Sequence, residues 1–284
     1  MSTLQQPPAQ QPWLPHHDAL GAPLSDATHV GLLLHGIFGA ARNLRTFAQQ
    51  LCAATPGWAW IVADLRNHGD SAGAPPPHDL DTCANDVRNL WQALDVAPTA
   101  VVGHSFGGKV AMHLLAEPWP ELRRVGVLDT HPHLRWNDEG GADGVEHVLR
   151  VLGQVPQPLA QRADVVGHLT AAGIDQPVAQ WMTTNLRAAD DGYRWKFDLP
   201  AVIAMLDSYF TTDSWPRLRA VPPGVVVHVV RAGRSPRWTP PTVAALESLA
   251  PAVQVHTLAN AGHWVHVDDP AGLCEILAAA LGGL

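Results

Sequence analysis

The chain alternates short apolar runs with segments of helical period. Residues 28–36, THVGLLLHG, form an unbroken apolar run closed by glycine, the pattern of a strand buried on both faces. Runs at 58–65, 99–104 and 123–130 predict three more strands. Between them, residues 43–54 set Leu44, Phe47 and Leu51 on one helical face, and 81–96 do the same with Cys83, Val87, Leu90 and Leu94. Residues 109–117 also read as helix. The rhythm resumes with strand 224–232, helix 242–250, strand 252–260 and helix 270–281. Strands and helices in alternation, joined by short connections, predict an α/β fold with a mostly parallel central sheet flanked by helices.

Residues 131–221 break this rhythm. Helical patterns occupy 145–155, 159–173, 178–189 and 201–210, with only a short strand-like piece at 193–197. A block inserted directly after the strand that ends at Asp129 is expected to cover the strands' carboxyl ends as a helical lid. Residues 1–27, rich in Pro, Gln and Ala, read as a loose arm with a short leading strand between Trp13 and Leu20. The expected organisation is therefore an arm (1–27), a core (28–130 and 222–284) and a lid (131–221).

Composition narrows the function. The 284 residues are 46% hydrophobic and only 15% charged, with a net charge of −8. An acidic chain without a basic block is a poor ligand for nucleic acid. Cys52, Cys83 and Cys274 are scattered and odd in number, which suits packing in a reducing compartment. The first residues lack a basic and apolar leader pattern, and no apolar run reaches spanning length. The expectation is a cytoplasmic protein with a small-molecule partner, no nucleic acid and no membrane; a homodimer stays open.

The chemistry centres on Gly103-His104-Ser105-Phe106-Gly107, set between a strand and a helix. This is the G-x-S-x-G elbow in its required context, which strains the serine and lifts its hydroxyl clear. The alternative is a serine that merely caps the helix. A serine nucleophile needs a base. Of 16 histidines, His263 stands in the loop after the last strand, directly behind Gly262, and His266 is its neighbour and competitor. An oxyanion needs two donors. One is the N–H of Phe106. The other belongs to the loop His35-Gly36-Ile37-Phe38-Gly39 and is the N–H of Ile37 or, second, Phe38. His68 is expected to support that loop from a turn.

The acid is less direct. The loop after the penultimate strand carries Ser235 and no carboxylate. Asp129, at a strand's carboxyl end, is the first candidate and Asp207 the reserve; Asp129 could instead cap the start of the lid. Phe38, His104, Trp181, Trp238 and Trp264 are candidate walls of an apolar substrate pocket, Trp264 foremost. For Trp181, Met182, Trp195, Met205 and Trp238, packing between lid and sheet is the competing reading. His16, His17, His131 and His133 lack a further ligand at suitable spacing, so no metal is expected.

The stretches HGIFGAARNL, ADLRNHGDS, GHSFGGKVAM, VLDTHP, YRWKFDLP, GRSP and NAGHWVHVDDP resemble the α/β-hydrolase superfamily over residues 28–284. More narrowly they resemble its small bacterial esterase and acyl-CoA thioesterase branch, which has a mitochondrial relative. The resemblance implies Ser105 as nucleophile, His263 as base and Asp129 as acid, with a serine in the penultimate loop as a shared feature. It implies an ester or acyl-CoA substrate and no cofactor. The chain departs from the branch in its longer arm and in His131, where a small apolar residue is frequent. Carbon–carbon bond hydrolases and perhydrolases carry the same motifs, and a dormant hydrolase-like binding protein is a further alternative.

Overall fold

The structure, a computed structural model, describes residues 12–134 and 144–284. The first eleven residues of the expected arm and residues 135–143 of the expected lid lie outside them. The core begins with strands β1 (His17–Gly21) and β2 (His29–Leu34), helix α1 (Ala41–Ala54), strand β3 (Trp58–Ala63), helix α2 (Leu80–Ala93), strand β4 (Ala100–His104), helix α3 (Phe106–Leu114) and strand β5 (Arg124–Leu128). The insertion holds α4 (Val145–Gln154), α5 (Asp164–Ala171), α6 (Gln176–Met182), β6 (Leu186–Ala189), β7 (Gly192–Trp195), α7 (Leu199–Thr211) and α8 (Trp215–Arg219). The core closes with β8 (Val226–Ala232), α9 (Pro240–Glu247), β9 (Val253–Leu258), α10 (Val265–Asp268) and α11 (Pro270–Leu281).

Seven strands form one sheet in the order β1-β3-β2-β4-β5-β8-β9. All neighbours are parallel except β1, which runs antiparallel to β3. The short leading strand expected between Trp13 and Leu20 is present one residue further on as the edge strand His17–Gly21, in which Asp18–Leu20 pair with Trp60–Val62.

The period-2 geometry of the strands divides their apolar side chains between two cores. Leu32, Ile61, Val101, Val127 and Val229 face α2, α3 and α9. Leu33, Val62, Val102, Leu128 and Val230 face α1 and α11, where Leu44, Phe47, Leu51, Leu273 and Leu277 meet them. The predicted helical faces are those that are buried.

The insertion has a core of its own. Val151, Leu152, Val165, Leu169, Met182, Val202 and Leu206 cluster with Phe38 and Phe197. One expectation fails here: residues 186–189, read as the end of a helix, pair instead with β7 as a hairpin. The Leu-Arg-Ala-Ala stretch has good helix formers, but Leu159 bridges Tyr193 and extends the hairpin's pairing. Tertiary pairing outweighs local propensity at this site.

Lys109 ties the insertion to the core. It is fully buried on α3, one turn after Ser105, and its Nζ donates to the carbonyls of His133 (2.8 Å), Tyr209 (2.6 Å) and Thr212 (2.9 Å). The first acceptor lies at the entry to the insertion and the others at its exit, so one ammonium group pins both ends. Burial lowers its pKa to about 8.

Candidate active site

Ser105 joins β4 to α3 with φ 52° and ψ −115°. Positive φ is strained for a residue with a Cβ and marks a turn forced by its surroundings. The bend requires glycine on both sides. A Cβ on Gly103 would lie 2.0 Å from the carbonyl oxygen of Gly107, and one on Gly107 would lie 2.6 Å from those of Leu34 and His35. Ser105 makes no side-chain capping bond to α3, so the capping alternative fails. Its backbone is held instead: Ser105 N–H donates to Leu128 O at 3.0 Å, and Thr130 Oγ1 donates to Ser105 O at 2.8 Å.

Asp129 also has positive φ, 43°, immediately after β5. Its carboxylate is buried and accepts three hydrogen bonds. His263 Nδ1 donates to Oδ2 at 2.8 Å, and Oδ1 accepts from Ala232 N–H at 2.9 Å and from Trp238 Nε1 at 2.5 Å. Arg237 stands 3.8 Å from Oδ2. Burial alone would raise the Asp129 pKa, but the hydrogen bonds from His263, Trp238 and Ala232 hold it below the usual carboxylate value. None of these partners belongs to the start of the insertion, so the capping role fails as well. Asp207 is exposed on α7, and its carbonyl accepts from Thr211.

The base candidates separate by their partners. His263 meets a carboxylate. His266 is buried, and its Nδ1 has no hydrogen-bond partner. Since Asp129 can only accept, His263 carries its proton on Nδ1 and offers Nε2 as acceptor. Burial and the Arg237 cation lower the His263 pKa, against the pull of Asp129. His104 Nε2 donates to His263 O at 2.8 Å and ties β4 to the loop that carries His263.

The oxyanion-loop candidates also separate. Phe38 N–H donates to His68 Nε2 at 3.1 Å, so it is already engaged, and Ile37 is the remaining candidate. His68 donates from Nδ1 to Arg66 O, and His35 accepts Leu65 N–H on Nε2 while donating from Nδ1 to Gly36 O. Both rings are neutral: burial lowers their pKa values to about 3 for His68 and about 4 for His35. The expected support by His68 is therefore present. Asn185, which the sequence did not mark, donates to Phe38 O at 2.7 Å from the insertion.

These groups meet at a cavity of about 630 Å³ whose walls include Ser105, His263, Gly36, Ile37, Phe38 and His104. The insertion contributes Val145, Val148, Ile174, Val178, Trp181 and Met182 to these walls. Trp264 is on the wall, with its ring centroid 6.0 Å from that of Trp181. Trp238 is not: its indole turns to Asp129, which corrects its expected pocket role. Met205 and Trp195 pack elsewhere, in line with the packing alternative.

Among the described residues one donor group could hold a cation: His16, Asp64 and Asp70 lie within 4.8 Å of one another. Asp64 already accepts Ala41 N–H and Asp70 N–H, so its oxygens are committed to the backbone. His131 is buried just beyond the end of β5, where the chain turns from strand to insertion. The three cysteines are free thiols, two buried and one half-buried. No described helix is long and apolar enough to cross a membrane.

The chain matches the alpha/beta hydrolase family over residues 32–276 and belongs to it. Among curated relatives it is 28% identical to the sn-1-specific diacylglycerol lipase ABHD11 of Mus musculus, covering 90% of this chain and 82% of that protein. It is 27% identical to Esterase YbfF of Escherichia coli, covering 84% of this chain and 87% of that protein. Among solved structures it superposes on a marine microorganism esterase with a TM-score of 0.79 at 19% identity, covering 94% of this chain and 99% of that one.

Proposed function

We propose that this protein is a serine hydrolase that cleaves carboxylic esters or thioesters through an acyl-serine intermediate. The observation that carries this reading is one cavity lined both by a strained, uncapped serine and by a histidine whose Nδ1 lies 2.8 Å from a buried carboxylate. Relatives named esterase and lipase support the same class.

Ser105 Oγ attacks the acyl carbonyl while His263 Nε2 takes its proton. Asp129 holds the ring in the Nδ1–H tautomer and stabilises the imidazolium that forms. The oxyanion is received by the N–H groups of Phe106 and Ile37. His263 then returns the proton to the leaving alcohol or thiol. Water, deprotonated by the same ring, attacks the acyl-serine; the tetrahedral intermediate collapses, Ser105 Oγ leaves with the proton that His263 returns to it, and the acid is released. No step calls on a metal or organic cofactor.

The walls favour neutral substrates with an apolar acyl group. Apart from histidines, Arg237 is the only basic side chain among the described lining residues, and it stands beside Asp129. A cytoplasmic site of action fits three free thiols. A panel of p-nitrophenyl esters, acyl-CoAs and ring-cleavage diketones tests the proposal. Turnover of esters that vanishes in Ser105→Ala supports it, and exclusive turnover of diketones overturns it.

A further inference from the structure

The loop after β8 has no carboxylate, yet it is built around the acid. It begins at Gly233, whose N–H donates to Leu258 O at 2.8 Å, and a Cβ there would lie 2.4 Å from Ala259 O. Arg234 N–H donates to Ala261 O at 3.0 Å, two residues before His263. The loop is therefore laced to the segment that carries the base. Its far end reaches back to Asp129 through Trp238 Nε1, at 2.5 Å from Oδ1, while the last residue of β8, Ala232, donates to the same oxygen.

We infer that Trp238 is a positioning residue: its indole N–H locks the Asp129 carboxylate so that Oδ2 faces His263, and its loop sets acid and base in one register. A carboxylate with one contact can rotate about its Cβ–Cγ bond. With Oδ1 held by two donors that rotation is closed, and the imidazole meets a fixed acceptor. The bond is charge-assisted and the site buried, where orientation is worth most. A purely packing role for an indole would leave its N–H to solvent or to any carbonyl; here it selects the one buried carboxylate.

This inference rests on Asp129 as the acid of the proposed hydrolase. Other titratable groups face the pair: Arg237 from the same loop, His104 from β4, His131 beyond β5, Tyr209 from α7, and His266 and Asp268 from α10. All of them are unchanged in Trp238→Phe, which keeps most of the apolar bulk and removes the donor. With its charge less shared, Asp129 holds a proton on His263 more firmly, so the acid limb of kcat/KM moves to higher pH. Looser orientation lowers kcat about tenfold or more, with KM little changed.

Asp129→Asn is the control. If it keeps full activity, the functional reading itself fails. If it is impaired and Trp238→Phe moves the acid limb upward with reduced kcat, the inference stands. If the limb stays in place, whatever happens to kcat or thermal stability, Trp238 only packs and the inference is overturned. Should Trp238→Phe fail to fold, the indole N–H resonance of Trp238, assigned through its NOEs to Ala232, decides the matter. It moves upfield in Asp129→Asn if the bond exists, and an unmoved signal overturns the claim.

Discussion

His263 Nδ1 donates to Asp129 Oδ2 at 2.8 Å across 134 residues of sequence, from the loop after the last strand to the end of β5. The contact bridges β8, which lies between their strands, and a helical insertion separates the two residues in the chain. It fixes the His263 ring as the Nδ1–H tautomer.

The first prediction concerns that pair. Asp129→Asn removes the acceptor that stabilises the imidazolium and lets the wrong tautomer form. The expected loss in kcat for ester hydrolysis is about 10⁴-fold, with a smaller change in KM. Steady-state kinetics on a p-nitrophenyl ester checks it, and Asp207→Asn leaves the rate near wild type.

The pH–rate profile follows from the site's electrostatics. Burial and Arg237 hold the His263 pKa below the ordinary imidazole value of about 6.5. The base must be neutral to accept the serine proton, so activity rises with pH through that lowered pKa. The acid limb of kcat/KM is expected to have its midpoint below 6.5.

Stability has its own pH window. Burial lowers His35, His113, His228 and His266 to about 4, and His68 and His131 to about 3. Their unfolded values lie near 6.5, so below that pH the unfolded chain binds more protons than the native one. Stability is therefore full above about 6.5 and falls as pH drops toward 4. Urea midpoints measured at pH 7.5, 6, 5 and 4 should decline steadily, without a plateau until well below 5.

Lys109→Met tests the tie between insertion and core. It leaves three buried carbonyls without their donor, at a cost of about 3 kcal/mol. The melting temperature should fall by about 6 to 12 °C in a domain of this size. A change of under one degree would show that the ammonium contributes little.

The sheet, its crossover helices and the elbow were legible in the sequence because each writes a local pattern. Apolar runs mark buried strands, glycines at 103 and 107 mark a bend that excludes Cβ atoms, and Gly262 precedes the base. What stayed hidden depends on contacts between distant segments. Residues 186–189 carry helix formers yet pair with β7. Trp238 looks like pocket lining until its N–H is seen on Asp129. Lys109 has a detectable signal, a lone cation amid VAMHLL, but its three acceptors come from the ends of the insertion. Asn185, holding Phe38 from the insertion, has no sequence signal at all.

The pocket gives one more expectation. Trp181 and Trp264 both line the cavity with ring centroids 6.0 Å apart, one from the insertion and one next to His263 in the chain. Trp181→Ala enlarges the space for the acyl group. Relative kcat/KM for long or branched esters over acetate esters should rise about tenfold.

Ser105 Oγ is the atom expected to attack the acyl carbonyl. Treating the protein with a fluorophosphonate and sequencing the labelled peptide by mass spectrometry tests it directly. The account predicts a single adduct on Ser105, with labelling and ester hydrolysis both lost in Ser105→Ala by about 10⁴-fold or more. An adduct on another residue, or undiminished hydrolysis by the Ser105→Ala protein, would contradict it.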